Sequence, residues 1–292
     1  MLSGPGVSFE LFPPKTPQGM EKLLAAMGDL ASLSPRFVSI TSGAGGSGRE
    51  EETTSVVRSV MGATGLPVMP HLTCMGRTGD DLLAILRGYH AIGVRNILAL
   101  RGDRKPDSPP GPPGAGFHAL ELIRLVSRHF GDGFCVGGSA YIEPHPESLG
   151  RERDFHYMKE KEEAGMAFAV TQLFFDNRIF YDYLDACASH GITLPILPGI
   201  FTITDGSWIK EFSATHRVTI PPALRDALDR HAGDADAIRK IGIDHTLEQV
   251  RDLAAHGVHH LHIYTMNRSE IPRTVLQAFT DVCAARPPKE QP

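Results

Sequence analysis

The chain has no apolar run near the roughly 20 residues of a membrane span, and its start, Met1-Leu2-Ser3-Gly4-Pro5-Gly6, lacks the charged and apolar regions of a secretion signal. Neither sign of charge dominates. Against 34 Asp and Glu stand 29 Lys and Arg, scattered along the chain for a net charge of -5, which argues against a nucleic-acid partner. The four cysteines, Cys74, Cys135, Cys187 and Cys283, lie far apart with no CxxC pair, so neither a zinc knuckle nor a disulfide framework is suggested and a reduced, cytoplasmic setting is expected. The Gly-rich stretch Gly43-Ala44-Gly45-Gly46-Ser47-Gly48 has no Gly-Lys-Ser/Thr ending and no dinucleotide spacing; it reads as a flexible active-site loop or an ordinary βα turn. No strand ends on a lysine placed for a Schiff base, which weakens an aldolase reading. Fourteen histidines invite a metal, yet the close pair His260 and His262 lacks companion carboxylates, and no metal is expected.

What is present is a repeated unit. Short apolar runs end on polar residues eight times: Val7–Phe9 at Glu10, Phe37–Ile40 at Thr41, Val68–Pro70 at His71, Ile97–Leu100 at Arg101-Gly102-Asp103, Ala140-Tyr141 before Glu143, Ala167–Val170 before Thr171-Gln172, Pro195–Leu197 before Pro198-Gly199, and Leu261–Tyr264 before Asn267-Arg268. Stretches of helical spacing alternate with them, at about 17–33, 50–62, 78–92, 117–130, 151–164 and 178–190, with another starting near Asp205. Apolar strands alternating with amphipathic helices imply a parallel sheet buried on both faces, and eight of them imply a single-domain (β/α)8 TIM barrel whose strand ends meet at one mouth. Extra helical material over about 221–255 precedes the eighth strand; Pro221-Pro222, Gly233 and Gly242 are expected to break it. The Pro- and Gly-dense segment 104–116 is expected to form a flap at the mouth.

Several strand-end residues could carry chemistry. Glu10, an acid in an apolar strand, reads either as a buried ion pair or as a general acid whose neutral form the apolar setting favours. Asp103 follows a glycine that would let backbone approach a ligand, or it caps a turn. The Gln172 amide, ahead of Leu173-Phe174-Phe175, could read a planar heterocycle or satisfy loop backbone.

The segments Ser8-Phe9-Glu10-Leu11-Phe12-Pro13-Pro14-Lys15, Val38-Ser39-Ile40-Thr41, Pro70-His71-Leu72-Thr73-Cys74, Leu98-Ala99-Leu100-Arg101-Gly102-Asp103, Tyr141-Ile142-Glu143-Pro144-His145-Pro146-Glu147, Thr171-Gln172-Leu173-Phe174-Phe175-Asp176, Pro198-Gly199-Ile200 and Tyr264-Thr265-Met266-Asn267-Arg268 resemble, in order, those of the methylenetetrahydrofolate reductases. The resemblance runs from about residue 7 to 281. It implies a non-covalent FAD reduced by NADH or NADPH, then oxidised by 5,10-methylenetetrahydrofolate in a ping-pong cycle yielding 5-methyltetrahydrofolate. It further implies that Glu10 helps open the folate's five-membered ring, that Asp103 adjusts flavin reactivity, and that Thr41, His71, Leu100, Arg101, Gly102, Ala140, Tyr141, His145, Asp154 and Lys161 hold the flavin. Gln172, Phe212, Tyr264 and Arg268 are implied on the substrate side, Arg268 against the folate carboxylate unless it makes a structural ion pair. The chain departs from the family at Ser42, where Tyr is usual, at Thr202 in place of a common Pro, and at Trp208 where some members have Gln. Control by adenosylmethionine, which needs a further domain, is not expected. The oxidative direction, a partner electron donor and a non-redox folate-binding barrel are the alternatives; a homo-oligomer is left open.

Overall fold

In the computed structural model the described residues are 5–42, 50–102 and 117–285, so Asp103, the Gly-rich segment 43–48 and the 104–116 segment lie outside them. Parallel strands alternate with helices: β1 (Gly6–Leu11), α1 (Pro17–Ala31), β2 (Phe37–Ile40), α2 (Glu50–Thr64), β3 (Val68–Thr73), α3 (Gly79–Ala91), β4 (Asn96–Leu100), α4 (Ala119–Phe130), β5 (Cys135–Ala140), α5 (Arg151–Glu163), β6 (Met166–Thr171) and α6 (Asn177–Ser189). Then follow β7 (Ile196–Leu197), β8 (Gly199–Phe201), α7 (Gly206–His216), α8 (Pro222–Arg230), α9 (Ala235–Ala255), β9 (His260–Tyr264) and α10 (Glu270–Ala285). Polar caps start the helices where the chain leaves the strands. Thr16 accepts from the Gly19 N–H ahead of Pro17, Thr78 and Asp81 form a capping box, and Asp205 accepts from Ser207 and Trp208.

The sheet runs β7-β6-β5-β4-β3-β2-β1-β9-β8, every pairing parallel. It closes because β7 and β8 are two halves of one stave. Here the structure corrects the sequence reading, which ended the seventh strand at Leu197 and treated Pro198-Gly199 as its polar ending. Pro198 has no N–H to give to β6, so the ladder breaks there, while its carbonyl still accepts the His262 N–H at 3.0 Å. Gly199 resumes the strand, its N–H on Thr171 Oγ1 at 2.9 Å. A Cβ on Gly199 would fall 2.5 Å from the Thr171 carbonyl and 2.7 Å from the Tyr264 ring, so only glycine lets the stave swing from β6 to β9.

The second correction concerns Gly242, which lies inside α9 and does not end a helix. A Cβ there would fall 1.9 Å from the Ile203 carbonyl: the glycine serves close packing of α9 against the chain leaving β8.

The main core lies between sheet and helices, with Phe9, Leu23, Met27, Ile40, Leu86, Ile97, Ile123, Phe180 and Phe279 fully buried. Inside the barrel, Met69, Leu98 and Val170 pack with Phe37, Leu100 and Phe168. A further cluster under α7 to α9, including Leu173, Phe201, Ile209, Leu224 and Ile238, supports one side of the mouth. Among the described residues no helix is long and apolar enough to cross a membrane.

Candidate active site

Strand geometry aligns the polar residues of the lumen. Side chains two apart on a strand share a face, so Ser8 and Glu10 point the same way, as do His260, His262 and Tyr264. The β1–β9 register sets Ser8 beside His262 and Glu10 beside Tyr264, while Glu10 also lies beside Ser39 of β2. Glu10 is only 7% exposed. Its Oε2 lies 3.3 Å from His71 Nε2 and 3.6 Å from His262 Nε2. Ser8 Oγ lies 2.7 Å from His262 Nδ1, and Ser39 Oγ 3.4 Å from its Nε2.

This arrangement overturns the expectation of a neutral Glu10. Burial alone raises a carboxyl's proton affinity, but the positive charge and N–H groups that His71 and His262 can present outweigh it, holding Glu10 down to about 2. The approach of His71 is electrostatic rather than an aligned hydrogen bond, since its Nε2 makes no such bond among the described residues. Tyr264, its hydroxyl donating to the Thr171 carbonyl at 2.7 Å, is pushed up by burial and by the Glu10 charge.

Beside this cluster opens a cavity of about 580 Å³. Of the expected flavin residues, Thr41, His71, Leu100, Arg101, Gly102, Tyr141, His145, Asp154 and Lys161 line it. Ala140 does not: it is fully buried, its carbonyl accepting the Gln172 N–H. Tyr141 and His145 meet edge to face at 4.8 Å, and Ser148 donates to Asp154 at 2.6 Å. Lys161 reaches the Ser139 carbonyl at 3.3 Å; desolvation lowers it to about 8, with the nearby Asp154 charge opposing the drop. Arg101 pairs with Glu147 at the rim, lowering the Glu147 carboxyl. Thr41 Oγ1, Thr73 Oγ1 and His71 Nε2 are buried against the cavity without hydrogen-bond partners among the described residues. Polar atoms left open in this way, a buried ammonium and a guanidinium suit a large, polar, negatively charged heterocyclic cofactor.

The substrate-side residues are spread more widely. Gln172 turns its Oε1 back onto the Leu173 N–H at 2.9 Å, satisfying loop backbone. Phe212, on α7, packs with Tyr264 against the cluster that includes Leu173 and Phe201, and stacks on Trp208 at 5.0 Å. Arg268 is not with them. It is exposed beside a separate hollow lined by Ala25, Ala26, Asp29, Asn267, Ser269 and Glu270, and it makes no ion pair among the described residues. Sequence reasoning missed Ser8 and His262 as neighbours of Glu10, although the two-residue alternation in Ser8-Phe9-Glu10 and His260-Leu261-His262 signalled it. It also missed His118, Ser139, Arg153 and Tyr157 on the cavity wall, for which no motif stood out.

A parallel barrel with a histidine-flanked carboxylate beside a large polar cavity at its strand ends has the architecture of a barrel enzyme. The family model for methylenetetrahydrofolate reductase matches residues 4–280. The 5,10-methylenetetrahydrofolate reductase of Escherichia coli is 37% identical over 265 residues, 91% of this chain and 87% of that protein. Methylenetetrahydrofolate reductase 2 of Saccharomyces cerevisiae is 35% identical over 94% of this chain but 46% of its own length. Among solved structures, an uncharacterized protein from Clostridium thermocellum that binds two copies of 5-methyl-5,6,7,8-tetrahydrofolic acid superposes with a TM-score of 0.64, covering 97% of this chain and 96% of its own; at 12% identity it shows the fold alone. The chain belongs to the methylenetetrahydrofolate reductase family, and it is an enzyme of that type, reducing methylenetetrahydrofolate.

Proposed function

We propose that one barrel domain binds FAD non-covalently in the large cavity and carries hydride from NADH or NADPH to 5,10-methylenetetrahydrofolate, the two substrates using the site in turn. FAD, when bound, supplies the two-electron hydride chemistry that no side chain offers. Thr41, His71, Leu100, Arg101, Gly102, Tyr141, His145, Asp154 and Lys161 are the residues that would hold it, with Asp103 joining them from the neighbouring segment. The single observation that carries the reading is the double position of His71: its ring lines the cavity and its Nε2 lies 3.3 Å from Glu10.

In the folate half-reaction, ring opening places a proton on the departing nitrogen, so a donor must stand at the mouth. Glu10 fills that role with its two imidazoles. In the open site it is ionised; a bound substrate that excludes water raises its proton affinity, so that it takes up a proton from solvent and passes it to the departing nitrogen. Reduction of the cofactor by NADH or NADPH needs no such donor. Phe212 and Tyr264, which pack against the cluster that includes Leu173, together with the adjacent Gln172, would orient the planar ring, and Arg268, exposed and free of ion pairs among the described residues, would meet the folate's distal carboxylate.

Colour tests the reading. The purified protein should be yellow, or become so on addition of FAD, with one flavin per chain after gel filtration. A colourless protein that cannot be reconstituted would leave the folate-binding barrel without redox turnover as the better account.

A further inference from the structure

Beneath the Glu10 cluster lies a second buried imidazole that the proposed chemistry does not use. His260 opens β9, two residues before His262 and on the same face. Its Nε2 lies 3.1 Å from Ser8 Oγ, which in turn lies 2.7 Å from His262 Nδ1, and His262 Nε2 looks toward Glu10 at 3.6 Å. Phe37 stacks on both rings, with centroids 6.0 Å from His260 and 5.9 Å from His262. On the far side, backbone closes over the ring: a Cβ on Gly6 would fall 2.7 Å from His260 Nδ1, and that nitrogen has no hydrogen-bond partner among the described residues.

The direction of the protons along this chain follows from counting donors. Burial, aided by the charge of Arg36, lowers His260 to about 4, so near neutral pH its ring carries one proton. With Nδ1 closed off, only the Nε2–H tautomer gives that proton an acceptor, Ser8 Oγ. The Ser8 hydroxyl has one proton to give. The Leu261 carbonyl lies 3.4 Å away, whereas His262 Nδ1 lies at 2.7 Å, and with His260 donating to the oxygen the proton turns onto the nearer imidazole. His262, accepting there, carries its own proton on Nε2, where the Glu10 carboxylate waits. The reverse order would bury an N–H against Gly6 and turn a lone pair toward a carboxylate. Glu10 also faces His71 from β3 and Tyr264 from β9, and Ser39 from β2 approaches His262.

We propose that His260 is a positioning residue: through Ser8 it fixes the tautomer of His262 and so keeps an N–H aimed at Glu10. The kinetic consequence rests on the proposed role of Glu10, whereas the proton order belongs to the chain alone.

Histidine-selective nitrogen NMR reads the tautomers directly, in the holoprotein and in His260→Phe, His260→Gln and Ser8→Ala. His262 should be an Nε2–H tautomer in the parent. In His260→Phe and in Ser8→Ala an Nδ1–H population should appear, and the pH midpoint of the folate half-reaction should rise by about one unit, the size carried by one neutral hydrogen bond. His260→Gln keeps an N–H donor and should restore both. Combining His260→Phe with Ser8→Ala should add nothing to either alone, because both cut one chain. An Nδ1–H tautomer in the parent overturns the proposal even if a variant fails to fold. So does a His260→Phe protein with lowered thermal stability but an unchanged His262 tautomer and midpoint, which would mark His260 as packing. Absence of any folate half-reaction in the parent would count against the proposed function, and the NMR result would still decide this one.

Discussion

Replacing Glu10 by Gln keeps the shape of the side chain and removes its charge and its transferable proton. Glu10 is nearly excluded from water, with imidazole nitrogens at 3.3 and 3.6 Å, and its pKa falls from an ordinary 4.5 to about 2. A carboxyl depressed on folding contributes stability that is present above its unfolded value and lost as pH falls through its folded value. That drop corresponds to at most about 3 kcal/mol. Glu10→Gln should therefore be less stable than the parent near pH 6 by up to that amount, and urea titrations should show the gap closing toward pH 2. Kinetically, anaerobic rapid mixing should show flavin reduction by NADH or NADPH close to the parent rate and folate reduction slowed about 10²–10⁴-fold, the usual worth of a general acid. Equal losses in both half-reactions, or a stability gap that does not change with pH, would refute the reasoning.

Lys161→Met should weaken FAD binding in a fluorescence titration yet stabilise the apoprotein by up to about 3 kcal/mol at pH 7: a lysine lowered to about 8 costs stability while charged, a cost that fades as pH rises from 8 toward its ordinary 10.5. A destabilised apoprotein would contradict the desolvated ammonium. Gly242→Ala should lower the thermal midpoint in spite of the roughly 1 kcal/mol gained in helix propensity, because its Cβ meets the Ile203 carbonyl at 1.9 Å; overpacking of this kind costs about 1–3 kcal/mol or more. A midpoint equal to the parent's would mean α9 can withdraw freely. Arg268→Ala should weaken folate affinity with FAD content unchanged and a stability change within about 0.5 kcal/mol, since the side chain is exposed and unpaired among the described residues. Flavin loss with a lowered midpoint would instead mark a structural arginine.

The barrel was legible because its signal is periodic and repeated: β3 and β4 lie where the apolar runs at Val68–Thr73 and Asn96–Leu100 put them. What escaped depended on contacts between distant segments. The split stave at Pro198 depends on Thr171 and Tyr264 crowding Gly199, and the continuity of α9 through Gly242 depends on Ile203, neither of which a local pattern carries. The same holds at the site. The location of Glu10 could be read from one strand, but its charge state could not, because the histidines that set it come from β3 and β9, 61 and 252 residues away. Cavity residues that end strands, such as Thr41, His71 and Arg101, could be placed from the strand pattern, and Asp154 and Lys161 on α5 from the resemblance; their helix neighbours Arg153 and Tyr157, which no motif marked, could not.

The central claim is that one site passes electrons from a nicotinamide to a folate. An anaerobic titration of the FAD-loaded protein tests it most directly, following flavin absorbance while NADH or NADPH and then 5,10-methylenetetrahydrofolate are added. The account expects bleaching by the nicotinamide, full return of absorbance with the folate, and one equivalent of 5-methyltetrahydrofolate for each flavin reoxidised. A flavin that bleaches but is not reoxidised by the folate, or reoxidation without 5-methyltetrahydrofolate, would contradict it.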